Sequence, residues 1–404
     1  MIEMSWRNKY RELARNALSK IPAYGTDIDL SQFTPKETKG DIDLRSISNI
    51  LESVGISVDS QNRAGEYYQL ESIVLERLSK TPGLEIMSLE EALDIYGKDL
   101  EPYFWKAVKV DTDKFTAIAE LAGKGGYFIR IKKGQRIQIP VQTCLLMSMD
   151  QSLQAPHNIV IAEEGSEVSL ITGCATMRET VGLHAGVTEI YVGRKARVNY
   201  VMIHRWSEAM HIRPRMGVIV EEGGEYVSHY IAFTKLKTFQ SMPQVVLYDN
   251  ARAYLSSIIA LEGNAKADSG YLVELRGSGS SSEIVSRSIT KDRSEIVARA
   301  HIVGSAPEVR GHIDCQGLLL SENSRILTIP ILDAVYDNVM LTHEAAVGKL
   351  AEDKIIWLMA RGFRREDAES ILVRGFLRVD LPDLPPAVMS MIENTLRIIA
   401  KSVL

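Results

Sequence analysis

The chain has 404 residues, of which 45% are hydrophobic and 25% charged, with a formal net charge of −5. That length exceeds one ordinary hydrophobic core, and the mild acidity leaves no electrostatic footprint for nucleic acid or anionic lipid. The three cysteines, Cys144, Cys174 and Cys315, include no CxxC pair, which argues against a disulfide framework and against a preformed four-cysteine metal site.

The opening stretch, MIEMSWRNKYRELARNALSK, is charged and amphipathic and lacks the apolar centre of a signal peptide. No run approaches the roughly eighteen apolar residues of a membrane span, so a cytosolic address is expected. Trp6, Leu13, Ala14 and Leu18 can share one helical face. Further helices are expected over 66–79 and 88–97, the second opened by Ser88 with Glu91 at capping-box spacing. Residues 1–105 therefore read as a helical domain, a lid or docking element with nothing catalytic in it.

From about residue 126 the hydrophobic period changes from helical to alternating. One turn template then recurs, with its fourth position at Gly134, Gly165, Lys195, Gly223, Asn250, Asn264, Ser278, Arg293 and Asn323. The spacings are 31, 30, 28, 27, 14, 14, 15 and 30, near-multiples of fourteen or fifteen. Small or left-handed-tolerant residues between short Val/Ile/Leu-rich strands are what a coil needs to turn repeatedly. A stacked β-solenoid of thirty-residue coils with two long faces fits these intervals better than a sandwich, whose strands recur about every 8–12 residues. The expected architecture is mainly β: a right-handed parallel β-helix over 106–333 between helical N- and C-terminal domains.

Residues 334–404 return to a helical pattern. Gly362 and Gly375 close two short amphipathic helices, and Asp383 is placed to cap a third that turns Val388, Met389, Ile392, Leu396 and Ile399 inward. This region is expected to cap the solenoid or to dock another protein.

The sequence lacks GxxxxGK[ST], GxSxG, HExxH and a GxGxxG in βαβ context. His204 and His211, seven apart, would face opposite sides of one strand. A β-solenoid hydrolase or lyase acting on a polymer stays open as an alternative, although no carboxylate pair stands out. The candidates for chemistry are the cysteines, because a thiolate is the strongest nucleophile and soft ligand among protein groups. Cys174 ends one β run, Cys315 ends another, and Cys144 lies in the apolar VQTCLLM. Cys315 is followed, twenty-eight and twenty-nine residues on, by His343 and Glu344.

The stretch GHIDCQGLLLSENSRILTIPILDAV, followed by LTHEAAVGKL and RGFRREDAESILVRGF, resembles the core of the SUF iron–sulfur assembly scaffolds, the SufB/SufD family. HNIVIAEEGSEVSLITGC and GLHAGVTEI are similar to its middle coils, so the likeness spans roughly 120–380. It implies a scaffold rather than an enzyme, dimerising through its β-helix as a homodimer or with a paralogue. It also implies a SufC-type ATPase docked on the C-terminal helices, with no nucleotide bound by this chain. The cargo would be a nascent iron–sulfur cluster built at Cys315, Glu344 and His343. Cys174 would accept sulfur, with His184, His204 and Trp206 along an internal route. The chain departs from B-type members at LLMSM around Leu146–Ser148, where they carry Arg-x-Asn, and at Thr342, where they carry a second Glu. It resembles the short scaffolds encoded singly; a D-type partner that carries no cluster is the structural alternative.

Overall fold

The computed structural model describes residues 5–37, 42–57, 63–379 and 386–402. Helices α1 (Ser5–Ala17), α2 (Ser48–Ser53), α3 (Leu89–Tyr96) and α4 (Lys114–Leu121) precede a β-solenoid of about eight turns, and α5 (Glu352–Met359), α6 (Arg365–Phe376) and α7 (Pro386–Ser402) follow it. Ser88 caps α3 as expected, accepting from the Glu91 N–H. On α1 the buried face is Tyr10, Ala14 and Ala17, while Leu13 and Leu18 are exposed. Gly375 falls inside α6 rather than past its end, and Asp383 lies outside the described residues.

The expected helix over 66–79 is a β-hairpin, Gly65–Leu70 with Ile73–Ser79. Tertiary pairing overrides local preference here: Gly65–Leu70 lies parallel to Val141–Met147, which buries Tyr67 and Tyr68 on opposite faces of the sheet. Glu71 turns the hairpin with φ +51°, and its buried carboxylate accepts from the Ser148 and Met149 N–H groups and from Ser152.

Each coil contributes to two sheets. One is continuous and ends in ten-residue strands, among them Arg252–Leu261, Ser281–Thr290, Arg310–Leu319 and Met340–Lys349. The other is split in its early coils into short pairs such as Met210–Ile212 and Arg215–Val220, then continuous from Lys266–Leu275 onward. Neighbouring coils pair in parallel, as Arg197 with Glu167 and Arg252 with Glu225. The template residues Gly134, Gly165, Lys195, Gly223 and Asn250 are all left-handed, and all stand at one corner of the coil. In the early coils the other corner is irregular. From Leu261 it too becomes a tight turn, with the left-handed residue at Gly263 and Asp292, one place earlier than the template. Two tight corners per coil explain why the spacing halves there.

Alternation sends odd-numbered residues of Arg310–Leu319 into the lumen and even-numbered ones outward. Ile313 and Cys315 share a core with Ala300 and Ile302 of the facing sheet, whereas Leu318 packs outside against Val373 and Val388 of the C-terminal helices. The solenoid continues through Lys349, beyond the 333/334 boundary expected from sequence, and its last coil is uncovered: Met340 is 62% exposed, with Leu327, Ile331 and Val347 also open. The split sheet's last strand, Arg325–Ala334, contains Pro330.

One carboxylate pins residues 105–108 of the N-terminal segment to the outside of the split sheet. Glu189, fully buried, accepts from the backbone N–H groups of Trp105, Lys106, Ala107 and Val108 at 2.7–3.2 Å, and also contacts His157 Nε2 and the Tyr191 hydroxyl. In register beside it, Gly217 has no Cβ because the Ala107 carbonyl would stand 2.1 Å from one. Glu189→Gln replaces an acceptor oxygen with an NH₂ facing N–H donors. It is expected to destabilise the protein by about 2–4 kcal/mol, read as a lower urea midpoint at unchanged slope.

Candidate functional site

Two groups of chemistry-bearing side chains line the lumen of the continuous sheet. The first forms around Cys174, which lies within Glu167–Thr176 rather than at its end and faces inward. His204 pairs with it in register on the next strand. From the split sheet His184 reaches the same space, its ring 6.3 Å from His204 and 5.0 Å from Trp206, with His204 and Trp206 5.6 Å apart. All four expected residues are thus brought together, and all are buried. His211 is on a separate strand of the other sheet from His204, bonded to Thr238, so the two are not opposite faces of one strand.

Burial dominates the electrostatics of this group. It pushes the Cys174 thiol up to about 12 and the His184 imidazole down to about 3. Burial, then the neighbouring His184, drives His204 well below its ordinary value. The thiol and both imidazoles are therefore neutral at physiological pH. His184 Nδ1 is hydrogen-bonded to Gln154 at 2.9 Å, and Tyr230 lies 2.9 Å from His204 Nδ1. His204 Nε2 is buried with no hydrogen-bond partner among the described residues.

The second group sits near the open end. Cys315, fully buried, occupies the middle of its strand. On the neighbouring strand His343 is in register with Ile313, Glu344 with Asp314 and Ala345 with Cys315. Strand alternation therefore points His343 into the lumen on the same face as Cys315, one inward position away, and points Glu344 outward beside Asp314. The structure brings two of the three expected ligands to one face and places the third on the other. Asp314 is bonded to Arg287 at 2.6 Å and to Gln316 at 3.2 Å. Burial raises the Cys315 thiol to about 11; Asp314 adds to the rise and Arg287 opposes it. Among the described residues, no three His, Cys, Asp or Glu side chains converge as a metal site within the single chain.

Cys174 and Cys315 face the same lumen from strands five steps apart, about 24 Å at the usual strand spacing. Between them Tyr230, Ser257 and Ser286 occupy the inward column that includes Cys315. Sequence reading missed these three. The signal lay in the coil frame: each stands at the inward slot that Cys315 takes, a slot that is hydroxyl-bearing in Thr143 and Thr172 as well. Cys144 faces outward into the apolar layer beneath α2, away from both groups.

Sequence comparison decides which family carries this arrangement. The family profile described as SUF system FeS cluster assembly, SufBD core domain, matches residues 145–376, more than half of the chain. The chain belongs to the SufBD family. It is 40% identical to an iron-sulfur cluster assembly SufBD family protein of Methanothermobacter thermautotrophicus, covering 92% of this chain and 94% of that one. Its likeness to the Archaeoglobus fulgidus protein of the same description is 42%, over 88% and 95% of the two chains. A Pyrococcus horikoshii SufBD family protein is 30% identical over 95% and 90%. The residues matched by the family profile include both lumen groups. Among the described residues no helix is long and apolar enough to cross a membrane.

With thiols this far raised, reactivity should climb with pH, because only the thiolate attacks an alkylating reagent. Iodoacetamide labelling of Cys315, located by peptide mass, is expected to accelerate about tenfold per pH unit above neutrality and to level off only near pH 11. Cys174 should lag it and level off near pH 12. Levelling near pH 8.5, the ordinary thiol value, would contradict the buried placement.

Proposed function

We propose that this SufBD protein is a non-catalytic scaffold on which nascent iron–sulfur clusters are built and from which they are passed on. The observation that carries the reading is the pairing of a buried thiol, Cys315, with an inward imidazole, His343, beside an uncovered solenoid end. A cluster meant to leave should be held by few, mixed ligands, since four thiolates would keep it. Cys315 and His343 supply inward donors, and Glu344 supplies a carboxylate at the outer lip of the same edge. A second chain closing the end, either another copy or a paralogue, would bring its own set alongside and complete the site. Binding iron displaces the Cys315 proton, so loading weakens as pH falls.

Sulfur is accepted at Cys174 and travels through the lumen past His184, His204 and Trp206. The Tyr230–Ser257–Ser286 column supports this route, because its hydroxyls keep a polar lane between the two thiols. ATP is used by a separate SufC-type ATPase docked on the helical region within 334–404. Supporting that assignment, α5 and the turn after it expose Ile356, Trp357, Met359 and Phe363, and Arg361 stacks over Trp357. Exposed aromatic and Arg side chains are typical anchors of protein interfaces. The setting is cytosolic, and the iron–sulfur cluster is cargo rather than resident cofactor.

Anaerobic reconstitution with iron and sulfide tests the site. Cys315→Ser should abolish the visible chromophore, His343→Ala should leave it weak and unstable, and an unaffected Cys315→Ser spectrum would refute the assignment. For docking, Trp357→Ala should weaken co-purification of the ATPase by roughly the thirtyfold that a 2 kcal/mol anchor represents; undiminished co-purification would place the ATPase elsewhere.

A further inference from the structure

The split sheet is interrupted in four successive coils, at Ala155–Pro156, Ala185–Gly186, Arg213–Pro214 and Met242–Pro243. Three of the breaks carry proline, which has no N–H for the ladder. Behind the two later breaks the lumen widens into a cavity walled by Tyr200, Met202, Ser228, Tyr230, Ser257 and Tyr271. Met202, Met216 and Tyr230 point inward and pack on the core yet keep accessible surface, as expected of side chains that border a space.

Outside the same breaks runs a groove between the sheet and the N-terminal segment, bordered by Lys106, Lys109, Asp113 and Arg276. Cavity and groove share two walls, Arg215 and Met216. Arg215 is the outer of the two: its Nε and Nη2 hold Asp113 at 2.8 and 2.7 Å, and Nη2 also donates to Gln240. Asp113 caps α4, so the Arg215 guanidinium is fastened to the N-terminal segment rather than to the solenoid alone. Met216, one residue on, is the inner wall and packs against the lumen core. Arg215 and Met216 are the side chains that the groove and the cavity have in common.

We propose that this seam is a side port into the lumen for a small soft anion, hydrosulfide, with Arg215 and Met216 as its gate. The identity of the passenger rests on the scaffold reading above. Charge at the mouth favours an anion: Lys106, Lys109, Arg215 and Arg276 face only Asp113 and Glu274. A lining of hydroxyls and thioethers suits a singly charged, weakly hydrated species better than phosphate or sulfate, whose desolvation costs far more. The cavity's position also matches use. Tyr230 contacts His204 beside Cys174, and Ser257 stands in the column leading to Cys315, so an anion admitted here arrives between the two thiols. Opening requires the Arg215 side chain to swing off Asp113 and Met216 to change rotamer, with no strand displaced.

Access can be read without any cluster chemistry, on the full-length protein, from methyl methanethiosulfonate labelling of each cysteine located by peptide mass. Met216→Trp plugs the port from the inside; Ser241→Leu, on the cavity wall at the seam, is a second plug should the first fail to fold. Either is expected to slow labelling of Cys174 about tenfold while leaving Cys315, near the open end, and the melting curve unchanged. An unchanged Cys174 rate in a folded plug variant overturns the port, as does equal slowing of both cysteines, which means entry by general opening. Arg215→Ala should accelerate Cys174 labelling severalfold, and failure to do so overturns its role as gate. With iron and free sulfide supplied, the plugged chain should reach the wild-type chromophore amplitude about fivefold more slowly; equal rates overturn hydrosulfide as passenger. If wild type forms no chromophore at all, the scaffold reading falls, while the labelling rates still decide whether the port exists.

Discussion

Strand alternation, held in register from coil to coil, is the constraint on which everything else in this molecule depends. Because each residue stacks on its counterpart one coil away, a side chain's inward or outward direction propagates along a whole column. Thr172, Met202, Tyr230, Ser257, Ser286 and Cys315 form one such column. A slip of one residue in the Arg310–Leu319 strand would turn Asp314 into the lumen and Cys315 out. Ile313 inside and Leu318 outside make that slip costly, since each fully buried Val, Leu or Ile is worth about 1.5–3 kcal/mol. Packing energy, rather than any bond made by the thiol itself, thus aims Cys315.

The same packing sets the chemical state of the lumen. Cys174, His184 and His204 are all displaced toward neutrality by burial, the thiol upward and the imidazoles downward. Among the described residues no cation lowers the Cys174 thiol, and Arg287 offsets only part of the rise at Cys315. Burial thus keeps the thiols protonated and leaves their activation to whatever enters. The N-terminal segment belongs to this design: its attachment through Glu189 and through the Asp113–Arg215 pair seats it over the breaks in the split sheet.

Much of the solenoid was legible from its turns, because Gly, Asn and Asp at corners advertise a left-handed backbone. The halving of the interval after Asn250 was visible as numbers, but its cause, a second tight corner, needed coordinates. The hairpin at 65–79 was not legible: EYYQLESIVLERLS has a helical period, and only its pairing with Val141–Met147 makes it a strand. At the site, Cys174, His184, His204 and Trp206 could be named from residue type and family likeness, and they do converge. The opposed directions of Cys315 and Glu344 follow from a register that no local pattern reveals, since it is fixed by the match of Asp314 to Glu344 across coils. Ser257 and Ser286 look like ordinary strand serines until the columns are drawn.

Among the described residues the last coil has two unpaired edges, and they are not equivalent. Along Arg325–Ala334 the odd-numbered N–H groups turn back to the preceding coil, as Arg325 does to Ser294, so the even-numbered ones face the free side. Pro330 is one of those, and it has no N–H to present. Along Met340–Lys349 the donors facing outward, from Leu341 to Lys349, are all intact, since Met340 itself turns back to Val309. A strand added to this end would find an unbroken ladder on the continuous sheet and a missing rung at the centre of the other. Proline thus weakens main-chain augmentation at one lip of the opening and leaves it intact at the lip that carries His343.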